Sequence, residues 1–327
     1  MIKSTISIAM CSYNGGKYIQ EQLDSIANQS RLPDELIICD DKSTDTTLPV
    51  VEKFADSSRF PVTVVKNGTN MGSTKNFEQA ITLCKGDIIF LSDQDDVWHK
   101  DKLKLVEEAF DSSMRTGAVF SNGNIVDEDL SPLGYTLWDK FDFGKRRRVE
   151  FASGNSLQVL MRHNVVTGAT MAFRSVFRDK ILPISPLWIH DSWIAFLISI
   201  ISDIKFIDRS LVDYRQHKDQ QIGGIRNSMK EQIAISSSVK DYDFQIKQYE
   251  RIIEHISNNG FMSGNHVVSE ITDKISHLNN RQIIYRCHGI KKIFKSVNEL
   301  ACGRYHRYSN GYKSFIKDVY MSMDPGR

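Results

Sequence analysis

Short apolar runs alternate with helical periodicities from the N-terminus to about residue 120, and this alternation limits the fold more than any other feature. Ile6–Cys11, Glu35–Cys39, Val62–Val65 and Ile88–Leu91 read as buried strands. Between them, Tyr18, Ile19, Leu23 and Ile26 recur at helical spacing, as do Leu48, Val51, Phe54 and Ala55, then Phe77, Ala80, Ile81 and Cys84. A helix from about Lys100 to Arg115 and a strand at Ala118–Phe120 continue the rhythm. Asp45 reads as the cap of the second helix. The pattern predicts an α/β fold with a Rossmann-like, mixed but mostly parallel sheet and helices on both faces. Ligands of such sheets bind beyond the carboxyl ends of the strands. The notable side chains fall there: Tyr13-Asn14 after the first strand, Asp40-Asp41 after the second, Asp93–Asp96 after the fourth.

The run Ser92-Asp93-Gln94-Asp95-Asp96 packs three carboxylates into four residues at the end of a buried strand. Ionised together they repel, and a divalent cation is the simplest compensation. Asp93 and Asp95 point to the same side of an extended chain. Hard cations such as Mg²⁺ take carboxylates and keep positions for phosphate oxygens, and Mn²⁺ suits the same ligands. The competing reading is a solvated acidic turn that caps the next helix.

At 327 residues the chain holds one large domain and an appendage. Its 41% hydrophobic and 25% charged residues are those of a soluble globular protein, and a net charge of +2 does not make it a binder of polyanions by bulk charge. Five cysteines without a CxxC pair suggest reduced thiols in a cytosolic protein. A strand that begins at Thr5 leaves no room for a signal peptide. The longest apolar run, Trp193–Ile201, is too short to span a bilayer.

Residues 127–150 read as a polar, irregular loop over the site, or as a solvated charge run around Lys145-Arg146-Arg147-Arg148. Gly168–Phe173 reads as a strand, and His190-Asp191-Ser192-Trp193 opens an apolar helix. Lys205–Ile207 and Leu211–Tyr214 read as two short strands leading to Arg215-Gln216-His217. Beyond Gly223-Gly224 strand runs cease and helical spacing takes over, which sets a boundary at 226 between residues 1–226 and a helical region, 227–327.

Four strings in order, Cys11-Ser12-Tyr13-Asn14-Gly15, Asp40-Asp41-Lys42-Ser43-Thr44-Asp45, Asn70-Met71-Gly72 and Asp93-Gln94-Asp95-Asp96, resemble family 2 glycosyltransferases of the GT-A fold. Gly168–Phe173, His190-Asp191 and Tyr214–His217 resemble the acceptor half of that family, so the likeness covers about the first 225 residues. Bacterial enzymes that build surface polysaccharides, rhamnosyltransferase-like members among them, show the most similar pattern. The resemblance implies an inverting, metal-dependent transfer of one sugar from a UDP- or dTDP-sugar to a lipid-linked glycan of the O-antigen or capsule type. It implies that Tyr13, Asn14 and Asp40 or Asp41 hold the nucleoside and that Asp93 lies near the ribose. Asp95, with Asp93 and with His217 as a further ligand, would hold Mn²⁺ or Mg²⁺. Arg215 would meet the diphosphate as a fork of donors. Asp191 would be the general base, the alternative being a helix cap. His190 and Trp193 would lie on the acceptor side, and Asp96 would cap the helix that follows.

The Gln-x-x-Arg-Trp signature of processive synthases does not occur, and GxGxxG, HExxH and GxSxG are lacking as well. A nucleotidyltransferase of the same fold would need a basic, glycine-rich phosphate loop near the first strand. A non-catalytic sugar-nucleotide-binding subunit would not need acids at every strand end. The basic, aromatic stretch from Arg281 to Lys317 fits contact with an anionic membrane surface, a homo-oligomer interface or a solvated face, with nucleic acid a weaker fit. The expected location is cytoplasmic, peripheral to the inner face of the membrane.

Overall fold

The computed structural model describes residues 3–218, 239–261 and 264–320, and the expected boundary at 226 lies outside them. The chain divides into two compact units, one of 1–156 and 165–223, the other of 157–164 and 224–327.

The first unit is built on a mixed sheet. Its strands are β1 (Ile6–Ser12), β2 (Glu35–Asp40), β3 (Val62–Lys66), β4 (Ile88–Ser92), β5 (Val97–Trp98), β6 (Thr116–Val126), β7 (Pro132–Thr136), β8 (Met171–Arg174) and β9 (Asp203–Arg215). They lie in the order β3-β2-β1-β4-β8-β6-β9-β5, with β7 beside β6. The half from β3 to β4 is parallel, as the alternation predicts. Antiparallel β8 joins that half to β6, and β6 pairs in parallel with β9.

Side chains of period two sort onto the two faces. Ile6, Ile8 and Met10 of β1, Leu36 and Ile38 of β2 and Phe90 of β4 share a core with helices α1 (Ile19–Ala27), α2 (Thr47–Ser57) and α4 (Lys102–Asp111). Helix α3 (Ser73–Leu83) packs on β1 and β2 through Phe77, Ala80 and Ile81. Helix α8 (Arg178–Ile181) packs on α9 (His190–Ile201), which also lies against α3, β6 and β9. The carboxyl ends of β1 and β2 coincide, Ser12 opposite Asp40, and Met10 of β1 faces Ser92 of β4. Three polar loops therefore emerge side by side.

Several local expectations change. Residues 127–150 are ordered, containing β7 and helices α5 (Leu137–Lys140) and α6 (Lys145–Ala152). The reason is aromatic: Phe120, Trp138, Phe143, Phe151 and Phe206 pack edge to face or tilted with ring centroids 5.2–6.3 Å apart. Of the basic run, Arg148 lies over Trp138, 5.0 Å from its centroid, and Arg147 pairs with Asp142. Residues 203–215 form one strand with irregular register, where two were expected. Gly168–Thr170 forms a 3₁₀ turn, so the strand expected from Gly168 starts at Met171. Trp98 belongs to a strand that pairs with β9, and the next helix starts at Lys102.

The second unit is helical in its described residues. Helices α7 (Ser156–Arg162, from Leu157 onward), α10 (Val239–Asn258), α11 (Gly264–Arg286), α12 (Gly289–Ala301), α13 (Arg304–Tyr308) and α14 (Tyr312–Tyr320) contribute to it. Buried polar pairs join them: Arg281 bonds Asp318 through Nε and Nη2, both at 2.7 Å, and His277 Nδ1 lies 2.8 Å from Glu299. No described helix is long and apolar enough to cross a membrane.

Candidate active site

The site is assembled by hydrogen bonds between the loops at the three strand ends. Asn14 takes a left-handed conformation, φ 48°, which a short polar side chain tolerates. Its Oδ1 accepts the Thr44 N–H at 2.9 Å, and its own N–H donates to Ser43 Oγ at 2.8 Å. Gln94 clamps the first loop to the fourth strand: Oε1 accepts the Tyr13 N–H at 2.8 Å and Nε2 donates to the Tyr13 carbonyl at 3.0 Å. A Cβ on Gly15 would collide with that amide, which explains the glycine after Asn14. Held in this way, the Tyr13 ring stays 42% exposed at the mouth of the loops.

Asp40 and Asp41 are both buried and work mainly for the backbone. Asp40 accepts from Ser12 Oγ, Ser43 Oγ and the Ser43 N–H at 2.8, 2.6 and 2.8 Å. Asp41 Oδ1 accepts the Met71 N–H at 2.8 Å and Asn67 Nδ2 at 3.0 Å, and its Oδ2 accepts the Gly72 N–H at 2.8 Å. The Asn70-Met71-Gly72 turn is therefore tied to the end of β2. Asp45 lies one residue before the α2 cap, Thr46; it accepts the Thr47 N–H at 3.0 Å and the Gly16 N–H at 2.9 Å.

The acidic run after β4 meets the end of β9. Asp95 Oδ2 and His217 Nε2 are 2.8 Å apart, with both side chains largely buried. His217 packs on Tyr18, ring centroids 4.7 Å apart. Burial, with the charges of Asp95 and Asp191, pushes the Asp93 carboxyl up to about 7. Burial, with the charges of Asp95 and Asp93, also raises Asp96 well above the carboxylate range. Lys102, fully buried, is the cation facing both acids; burial holds it well below the lysine range, and its Nζ donates to the Ala169 carbonyl at 2.6 Å. The cluster carries more acid than its own lysine can neutralise.

Asp191 stands in the first turn of α9, two residues past the cap residue Ile189. Its Oδ2 accepts the Gly168 N–H at 2.8 Å, and Oδ1 accepts from the Ser192 N–H and, at 3.0 Å, from Ser192 Oγ. Its charge helps to raise Asp93, so an element far along the chain acts on the acidic loop after β4.

Four expected contacts are corrected. Arg215 does not present its guanidinium to a diphosphate: it is 1% exposed, Nε donates to the Asp95 carbonyl at 2.8 Å, Nη1 to the Glu128 carbonyl, and Nη2 pairs with Glu21. It braces the acidic loop from behind. Asp96 caps no helix; it is buried and its Oδ1 accepts the Arg215 N–H at 3.2 Å. His190 is buried and stacked on Phe77, ring centroids 3.9 Å apart, with burial holding its imidazole below the usual range. Trp193 is fully buried, and its Nε1 donates to the Ile181 carbonyl at 2.7 Å. The apolar start of α9 draws both rings into the core.

Sequence reasoning missed Gln94, Gln22 and Lys102. Gln22 Nε2 donates to Ser92 Oγ at 2.9 Å and to the Asp93 carbonyl at 3.2 Å, fixing the base of the acidic loop. Gln94 was visible as the neutral residue inside the acidic run. Lys102 carried no signal, being one of several lysines in a helical pattern.

Residues 7–179 match the sequence model of glycosyl transferase family 2. The chain belongs to that family. This family 2 glycosyltransferase is 29% identical to the dTDP-rhamnosyl transferase RfbG of Shigella flexneri over 65% of its own length and 73% of the relative's. It is 33% identical to the abequosyltransferase RfbV of Salmonella typhimurium over 33% of each chain, so it spans only a third of that relative. Among solved structures it resembles S. aureus TarS in complex with UDP-GlcNAc, with a TM-score of 0.58, 19% identity and coverage of 84% and 72% of the two chains. The mannosyltransferase PcManGT of Pyrobaculum calidifontis, solved with GDP-Man and Mn²⁺, gives a TM-score of 0.54 at 14% identity, over 100% of this chain and 89% of that one. These likenesses show the GT-A fold.

The residues for a divalent cation are partly assembled. No group of three or more His, Cys, Asp or Glu is set around one point among the described residues. Asp95 and His217 do face each other, and the surplus of acid over base suits a cation. A carboxylate suits Mn²⁺ or Mg²⁺ and an imidazole suits Mn²⁺ better, the remaining positions being left to phosphate and water.

Proposed function

We propose that this glycosyltransferase transfers one sugar, with inversion, from a UDP- or dTDP-sugar to a hydroxyl of a growing bacterial surface glycan, lipid-linked and of the O-antigen or capsule type. The chemistry is assigned to residues 1–226. The observations that support the reading are the Asp95–His217 pair after β4 and the Asp191 carboxylate, which Gly168 fixes at the start of α9 and whose charge reaches Asp93. The dTDP-rhamnosyl relative favours a dTDP-sugar, and the TarS complex keeps UDP in view.

In this reading the exposed Tyr13 ring lies against the base. Asn14 and Asp40 shape the loop beneath it, and Asp41 Oδ2, which accepts the Gly72 N–H, also accepts the base imide N–H. Asp93 is turned to the ribose. Asp95 and His217, with Asp93 beside them, would hold Mn²⁺ or Mg²⁺; when bound, that cation neutralises the charge that grows on the leaving diphosphate. Asp191 is the base. The acceptor oxygen forms its bond to the anomeric carbon as the bond to the diphosphate oxygen breaks, and the hydroxyl proton passes to the Asp191 carboxylate. Hydrogen bonds from Gly168 and Ser192 fix the direction of that carboxylate and leave room on Oδ2 for one more donor.

The test is thermal stabilisation by UDP, dTDP and their sugars, with and without Mn²⁺, in wild type, Asp95→Ala and Asp191→Asn. A metal-dependent shift should be lost in Asp95→Ala and kept in Asp191→Asn. In Asp191→Asn, transfer to a lipid-linked glycan acceptor should fall by about two to four orders of magnitude. Near-normal turnover in folded Asp191→Asn removes the base assignment. No shift with any nucleotide diphosphate removes the donor site.

A further inference from the structure

Helix α12 in the second unit is amphipathic in reverse. Lys292, Ser296 and Glu299 are buried, whereas Ile290, Ile293, Phe294 and Val297 are exposed, Ile290 by 85% and Phe294 by 74%. The exposed four follow the spacing i, i+3, i+4, i+7 and form one continuous apolar stripe. The inner face is held by polar bonds: Glu299 accepts from Asn280 Nδ2 at 2.6 Å and Arg304 Nη1 at 3.0 Å and meets His277 Nδ1 at 2.8 Å. That network fixes the helix with its apolar side outward.

We propose that this stripe docks on an anionic lipid bilayer. Charge complementarity selects that occupant. From Arg286 to Lys317 the chain carries eight Lys and Arg against one acid, Glu299, which faces inward; Lys292 is buried, and Arg304 and Arg307 are paired with Glu299 and Glu270. Lys291 and Lys295, one turn apart on a single flank of the stripe, are exposed, so their stems can follow the apolar surface while the ammonium groups reach phosphate. No acid shares that outer face of α12. A second copy of the chain fits less well, because a two-fold contact would bring the same lysines together without a counter-charge. Helix α14, packed on α12, leaves Tyr312 and Ile316 exposed as well. This inference concerns the second unit and stands apart from the assignment of the sugar-transfer residues.

The test is co-sedimentation of the full chain with vesicles of phosphatidylcholine alone and of phosphatidylcholine mixed with phosphatidylglycerol. Wild type should bind the mixed vesicles, weaken as salt rises, and bind the neutral ones poorly. The pair Lys291→Gln and Lys295→Gln should weaken binding roughly thirtyfold. The pair Ile290→Ser and Phe294→Ser should abolish it, and both pairs should melt like wild type because the altered side chains are exposed. Absence of binding by wild type, or equal binding by wild type and both variants, overturns the proposal. A wild-type dimer that Ile290→Ser with Phe294→Ser dissolves, without vesicle binding, reassigns the face to a second copy.

Discussion

Gly168→Ala tests whether the backbone beside Asp191 sets the activity. The added Cβ would stand 2.9 Å from His190 Nε2, 3.5 Å from Asp191 Cβ and 3.6 Å from Asp191 Oδ2. The first distance is too short by about half an ångström, judged against ordinary van der Waals contact. His190 has little room to retreat, because its ring is 5% exposed and stacked on Phe77. The strain therefore falls on the 168–170 turn and the first turn of α9, the two elements joined by the Gly168 N–H to Asp191 Oδ2 bond. Overpacking of this kind costs about 1–3 kcal/mol of stability. A carboxylate displaced by half an ångström to one ångström should cost roughly tenfold to a hundredfold in kcat. The KM for the donor should hold, since the loops around Tyr13 and Asp41 are untouched. Release of nucleotide diphosphate from the donor sugar, with melting temperature as a folding control, reads both effects. A folded variant with wild-type kcat would refute the reasoning, and so would a loss expressed only in KM.

Three further perturbations probe the frame of the site and the helical unit. Arg215→Met removes the donors to the Asp95 and Glu128 carbonyls, so thermal unfolding should show a loss of about 2–3 kcal/mol, and metal-dependent nucleotide binding should weaken because the acidic loop is unbraced. Asp41→Asn leaves one acceptor oxygen where the Met71 and Gly72 N–H groups each need one; a loss of about 1–3 kcal/mol by denaturant titration is expected, with weaker nucleoside binding. Lys274, buried against Tyr249 and bonded to the Tyr308 carbonyl, is lowered from 10.5 to about 7 by burial and by Arg281. The folded state thus binds fewer protons than the unfolded state between those values, so its cost is full below about pH 7 and fades as pH rises toward the ordinary lysine range. Lys274→Met should therefore slow amide exchange in helices α10 to α14 by a few kcal/mol near pH 6 and by little near pH 10; a gain that does not vary with pH would contradict it.

How far the sequence could be read depended on the range of the interactions involved. The parallel half of the sheet was legible because β1, β2 and β4 are buried on both faces and therefore appear as unbroken apolar runs. The ends of those strands were legible too, since Ser12, Asp40 and Ser92 interrupt the apolar pattern where the chain leaves the core. Beyond β4 the sheet turns mixed, and no local signal shows that β8 runs antiparallel between β4 and β6, because strand direction is decided by partners remote in sequence. Residues 127–150 misled for a related reason: their order comes from Trp138, Phe143 and Phe151 meeting Phe120 and Phe206 in space, while the charges among them dominate the local composition.

The same distinction runs through the site. Asp93, Asp95, Asp191 and His217 could be proposed one by one from residue type and position. Residue type does not say which atoms are already spent. Arg215 is a fork of donors in any sequence, and only its surroundings show the fork turned back on the carbonyls of Asp95 and Glu128. Asp40 and Asp41 read as ligand-binding acids, yet most of their acceptor capacity holds two loops in place. This division of labour has a physical basis. Loops that leave a few polar groups open at a strand end can be kept ordered only if neighbouring polar groups are fully paired with the backbone. Gln94, Asp40, Asp41 and Arg215 supply that pairing.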